Sequence, residues 1–182
     1  MGLFSTGNET PKQARANNEV LISQMDPARK EYVMGNIRSE QRLGLGFFMG
    51  LIAAVAGAAI WAAISAATRH QIGWAAIGLG FLVGIAVRMG GKGIDKIYGV
   101  MGAFLALLGC ILGNFLTVLA ITNIENGISV ARLMELMSFQ LFIEIMKESF
   151  QPLDILFYIL AITTAYSASI RKLTEKDLQP GG

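Results

Sequence analysis

"LGLGFFMGLIAAVAGAAIWAAISAA" occupies residues 43–67, twenty-five consecutive positions without a charged side chain. At 1.5 Å of rise per residue, a helix of this length exceeds the roughly 30 Å hydrocarbon core of a bilayer, so the stretch predicts a tilted spanning helix. The whole chain agrees. Its 182 residues would ordinarily make one soluble domain, but 53% are hydrophobic and only 15% charged, with a mean hydropathy of +0.52.

Working outward, the four residues "TRHQ" (68–71) permit only a tight hairpin into residues 72–87, "IGWAAIGLGFLVGIAV", sixteen uncharged positions. That length is short for a crossing unless Arg88 and Lys92 snorkel to the head groups. Residues 97–122 carry no charge over twenty-six positions and form a third predicted span. Residues 155–170 form a fourth, preceded by Pro152 and Asp154 as helix-start signals and stopped by Arg171 and Lys172. Thr163, Thr164, Ser167 and Ser169 make it the least hydrophobic of the four, which places one face against protein.

Between the third and fourth spans, residues 129–150 carry apolar side chains at Val130, Leu133, Met134, Met137, Leu141 and Ile145. Arg132, Glu135, Glu144, Lys147 and Glu148 fall elsewhere. This 3.6-residue period predicts an amphipathic helix lying on the membrane or over the bundle. The first forty-two residues are polar. They read as disordered to about residue 17, then as loosely helical from Val20 to Arg42 with a break at Asp26-Pro27. The start has no charged n-region running directly into an apolar core, so it does not read as a signal peptide.

The expected fold class is therefore an all-α membrane protein: four transmembrane helices plus an amphipathic interfacial helix between spans 3 and 4. Its segments are a polar N-terminal stretch (1–42), spans 1 to 3 (43–122), an external amphipathic segment (123–152), span 4 (153–171) and a tail (172–182). Four crossings sort the fifteen Lys and Arg into two sets. Twelve lie in the N-terminal stretch, the middle turn (Arg88, Lys92, Lys96) and the tail; Arg69, Arg132 and Lys147 are alone on the other side. The positive-inside rule then makes both termini cytoplasmic. Three spans would put the basic turn and the basic tail on opposite faces.

Few reaction chemistries fit these residues. Cys110 is the only cysteine and lies in an apolar run, and His70 is the only histidine, so an intrachain disulfide or a Cys- or His-based metal or haem site is not available. A Ser/His/Asp triad would have to use His70, in a short loop without a partner motif. "VRMGGKGIDKIYGV" (87–100) suggests a phosphate loop, yet Gly93 follows Lys92 where Ser or Thr is required, and Ala86 occupies the place of the first glycine. What survives is a glycine turn with Arg88, Lys92 and Lys96 on the rim, suited to anionic lipid head groups or an acidic partner. No basic cluster is interleaved with stacking aromatics, so nucleic acid is not an expected partner. No cofactor or metal is expected.

Within the spans, Gly46 and Gly50, Gly80 and Gly84, and Gly109 and Gly113 form three small-xxx-small pairs. Each puts two glycines on one helix face, for packing within the chain or against a partner. Asn114 is the one strongly polar side chain deep in a span, and it calls for an interhelical hydrogen bond or a polar pathway. No span has a charged residue near its centre, which weighs against a proton-coupled pump or ion transporter.

Residues 80–114, "GFLVGIAVRMGGKGIDKIYGVMGAFLALLGCILGN", followed by 151–169, "QPLDILFYILAITTAYSAS", resemble a family of bacterial multi-span inner-membrane proteins of unknown function. In that family a VGxxVRxxGKG segment, a GCxLGN segment and a DLLFYxLA segment occur in that order. The residues that match are Val83, Gly84, Val87, Arg88, Gly91, Lys92 and Gly93; then Gly109, Cys110, Gly113 and Asn114; then Asp154, Leu156, Phe157, Tyr158 and Ala161. The resemblance covers roughly residues 78–169 and implies residence in the bacterial inner membrane, with no activity attached. Some relatives carry a cysteine-rich, zinc-ribbon-like segment ahead of the spans; this chain has none, so zinc binding is not implied.

The leading expectation is a non-enzymatic subunit or assembly factor of a larger membrane complex, in contact with lipids and with protein partners or further copies of itself. The alternative is a small oligomeric channel or transporter with a polar pathway along Asn114, Thr117 and the Thr/Ser face of the last span. A lipid-directed enzyme using Asp154, Tyr158 and His70 is the third reading; these residues share no recognisable catalytic spacing.

Overall fold

Proline, glycine and short polar runs punctuate this chain, and the helices begin and end on them. The computed structural model describes residues 11–69, 73–173 and 177, which contain eight helices and, among the described residues, no strand. They fall into two compact units.

The first unit holds α1 (Pro11–Gln24), α2 (Pro27–Ser39) and the chain after residue 170. Pro27 opens α2 at its first turn, where the absent N–H would have no helical partner, and Asp26 takes an extended ψ of 135° before it. The expected break at Asp26-Pro27 is present, but α1 begins at Pro11, within the stretch the sequence reads as disordered. Residues 1–10 lie outside the described residues. The buried Asn18 donates from Nδ2 to the carbonyl of Leu173 at 2.8 Å, and Arg171 pairs with Asp177 at 2.6 Å. The segments before the first span and after the last thus belong to one unit.

The second unit carries α3 (Leu43–Thr68), α4 (Trp74–Gly91), α5 (Lys96–Asn126), α6 (Val130–Glu135), α7 (Phe139–Ser149) and α8 (Pro152–Ser169). Four of these, α3, α4, α5 and α8, are long and apolar enough to cross a membrane. α4 gains the length its charge-free run lacks by continuing through Arg88 to Gly91, and α5 runs past its apolar limit to Asn126, where Gly127 caps it at φ 67°. α4 and α5 pack together at the centre; α3 and α8 each pack on both of them, from opposite sides. Ile52, Val55, Ile60, Phe81, Phe104, Ile155 and Ile159 face outward from this bundle. A soluble surface would not tolerate such a band, whereas lipid would cover it.

The single amphipathic helix expected over 129–150 is instead two. Ser129 and Ser138 each accept a hydrogen bond from the backbone N–H three residues on, at 3.3 Å to Arg132 and 3.1 Å to Leu141. The second serine therefore starts a new helix where the periodicity alone suggests continuation. α7 leans on α5 through an edge-to-face contact of Phe142 with Phe115, ring centroids 5.0 Å apart.

Candidate functional site

The glycines singled out in the sequence all turn inward. A Cβ on Gly46 would lie 3.0 Å from the Cα of Gly91, and one on Gly50 would lie 2.5 Å from Val87 Cγ2 and 2.7 Å from Leu105 Cδ1. Gly80 meets the backbone of Ala161 on α8, and Gly84 meets Ala165 and Ala168 one and two turns further along it. Gly109 faces Leu79 and Ala54, and Gly113 lies under the indole of Trp61. These six glycines let the four helices touch backbone to side chain. Gly99 and Gly102 do the same for α5 against Tyr166 and Ser169 of α8; no second glycine four residues away had marked them.

The basic turn is built rather than loose. Arg88 lies half-buried in the last turn of α4, and Lys92 caps that helix in the left-handed region at φ 49°, its N–H donating to the Arg88 carbonyl at 2.9 Å. Gly93 sits against the ring of the buried Tyr98, leaving no room for a Cβ. Asp95 is the extended N-cap of α5, and Lys96 is that helix's first residue. The N–H of Arg42 donates to the Gly91 carbonyl at 2.9 Å, which draws the start of α3 into the same turn. Four cationic residues, Arg42, Arg88, Lys92 and Lys96, thus belong to one end of the bundle. Lys92 is favourable at a helix C-terminus, but Lys96 stands at a helix N-terminus where the dipole disfavours it.

A second group of polar residues occupies the opposite half. Asn114 is 5% exposed and Thr117 1% on α5, Ser65 is 0% and Trp61 6% on α3. The Tyr158 hydroxyl donates to the Cys110 carbonyl at 3.4 Å and lies beside the Asn114 side chain, whose Nδ2 completes no hydrogen bond. The sequence marks Asn114 and Thr117 as polar in a span; Trp61 and Ser65 pass unnoticed because an Ala-rich helix gives no contrast, although their i, i+4 spacing was available.

Within a single chain the Thr and Ser residues of α8 are divided between its faces. Thr163 and Ser167 lie on its exposed face, with the Thr163 hydroxyl returned to the carbonyls of Ile159 and Leu160 at 2.8 and 3.1 Å, while Ser169 is buried and bonded to the Ala165 carbonyl at 2.7 Å. Asp154 belongs to a capping box: its Oδ2 accepts the N–H of Gln151 at 2.9 Å. That accounts for it as a helix-start residue. His70 lies outside the described residues, and among the described residues no cluster of three His, Cys, Asp or Glu could hold a metal.

Fold and site together define a multi-pass helical membrane protein. No family model, curated protein or solved structure matches the chain.

Proposed function

We propose that this protein is a non-enzymatic integral membrane protein of the bacterial inner membrane, acting as a subunit or assembly factor of a larger membrane complex, with both termini cytoplasmic. The observation that carries the reading is a face left over. The paired glycines are all used inside the bundle, yet α3 still presents Ala56, Ala59, Ala63 and Ala67 outward, between Ile52, Val55, Ile60 and Ile64. Alanine at i, i+4, i+8 allows a further helix to approach closely, and lipid contact alone does not call for it. α7 adds apolar side chains, among them the exposed Phe139, that suit the interface beside such a partner. Twelve cations on the side of the termini orient the chain, and Arg88, Lys92 and Lys96 meet anionic head groups or an acidic partner there.

The test is the substitution pair Ala59→Leu and Ala63→Leu. Both positions are exposed, so the monomer is expected to fold with an unchanged unfolding midpoint. On blue-native gels from native membranes the larger assembly is expected to be lost. A wild-type chain that migrates as a lone monomer without a co-purifying protein would defeat the reading.

A channel is less well supported. Below the polar residues, the core between the helices is closed by Ala54, Leu79, Val83 and Leu105, each at most 3% exposed.

A further inference from the structure

Among the described residues, seven buried side-chain polar atoms have no hydrogen-bond partner, and four of them belong to one region: Trp61 Nε1, Ser65 Oγ, Asn114 Nδ2 and Thr117 Oγ1. Trp61 and Ser65 are one turn apart on α3 and both are buried. Asn114 and Thr117 follow Gly113, over which the Trp61 indole lies, on the facing stretch of α5. One such atom is an ordinary defect. Four on two facing helix segments, with the Tyr158 hydroxyl beside Asn114 as a further polar group, would each forfeit the stabilisation of a hydrogen bond if left dry.

We propose that this region is an internal hydration site, in which water bound between α3 and α5 is held by these four groups. Their chemistry selects the ligand. Trp61 Nε1 and Asn114 Nδ2 can only donate, whereas the two hydroxyls donate or accept, so the occupant must present acceptor lone pairs and also offer protons. Water does both, and at about three hydrogen bonds per buried molecule, roughly one or two waters satisfy the set. An anion fits poorly. No charged side chain lies on these turns, and neutral donors alone would leave its charge uncompensated in a low-dielectric interior.

The site ends blindly toward the basic turn. Gly109, one turn back from Gly113, is packed by Leu79 and Ala54, and the next layer is formed by Val83, Val87 and Leu105, all fully buried. Water here hydrates one half of the bundle and does not cross it.

Thr117→Val tests the hydroxyl's part by sign, and an indole–water cross-peak separates bound water from a bond between that hydroxyl and the Gly113 carbonyl of its own helix. If the hydroxyl holds water, its removal lowers the midpoint of thermal unfolding in detergent, and Thr117→Ser does not. If the hydroxyl is dry and unpaired, Thr117→Val raises the midpoint, which would overturn the proposal. A second measurement leaves the core intact. Trp74 is 73% exposed, so Trp74→Phe isolates Trp61 as the single tryptophan. Its 15N-labelled indole N–H is expected to show an exchange or NOE cross-peak with water, and Asn114→Leu in that background is expected to shift Trp61 fluorescence to the blue. No cross-peak in the Trp74→Phe protein would overturn the proposal, as would an emission unmoved by Asn114→Leu.

Discussion

Gly80→Ala is expected to destabilise the bundle by about 2–3 kcal/mol, at the upper end of what one methyl costs when forced into a packed interior. The added Cβ would lie 2.8 Å from the Cα and 2.9 Å from the carbonyl carbon of Ala161, and closer still to its oxygen. These are backbone atoms of α8 and cannot rotate away, so α8 must move as a body and lose its seat on α4. Gly78, two residues earlier on the same helix, supplies the control. It is exposed, with nothing within 4 Å of its Cβ position. There the only effect is intrinsic, and alanine is favoured over glycine within a helix by up to about 1 kcal/mol. Chemical unfolding in mixed micelles should therefore give opposite signs for one substitution at two positions on α4. Equal effects would mean that α4 and α8 are not in contact at Gly80.

Gly93→Ala is expected to have the larger effect, roughly 3–5 kcal/mol, the range associated with losing a buried aromatic ring from a core. A Cβ at Gly93 would fall within the ring of Tyr98, which is 2% exposed and also packs under Gly91. The turn cannot accommodate both. Either Tyr98 leaves the core or the hairpin between α4 and α5 opens. A double substitution separates this steric cause from any property of the turn itself: Tyr98→Leu should cost much less in the Gly93→Ala background than in the native chain, a non-additivity expected only of touching residues. Strictly additive losses would contradict the contact.

These two glycines also mark what can be read from one dimension. The spans are legible because lipid solvates a long uncharged run on every side, which leaves a continuous signal in residues 43–67 and 97–122. The paired spacing of Gly80 and Gly84 identifies a packed face, but not what packs on it; that depends on Ala161 and Ala165 of α8, about eighty residues further along the chain. Gly93 lacks a paired spacing because its partner is a side chain five residues on, across a turn. The break between α6 and α7 is invisible to hydrophobic periodicity, since a single serine cap decides it. The hydration site is hidden for a related reason: Trp61 and Ser65 look like ordinary members of an apolar helix until α5 places Asn114 and Thr117 opposite them. Charges at the membrane surface are different. Their sum predicts an orientation without any individual contact, so the twelve-to-three division can be counted directly.

That division rests on four crossings with both termini and the basic turn on one side. Site-specific labelling with a membrane-impermeant maleimide tests it most directly. The background is Cys110→Ala, which removes the only native thiol, and single cysteines are introduced at Glu31, Lys96, Gln140 and Lys172, all exposed. The expected result is reaction of the cysteines at 31, 96 and 172 only in inverted vesicles and of the cysteine at 140 only in right-side-out vesicles. Labelling of positions 96 and 172 from opposite sides, as a three-span chain would give, would contradict the architecture and the orientation together.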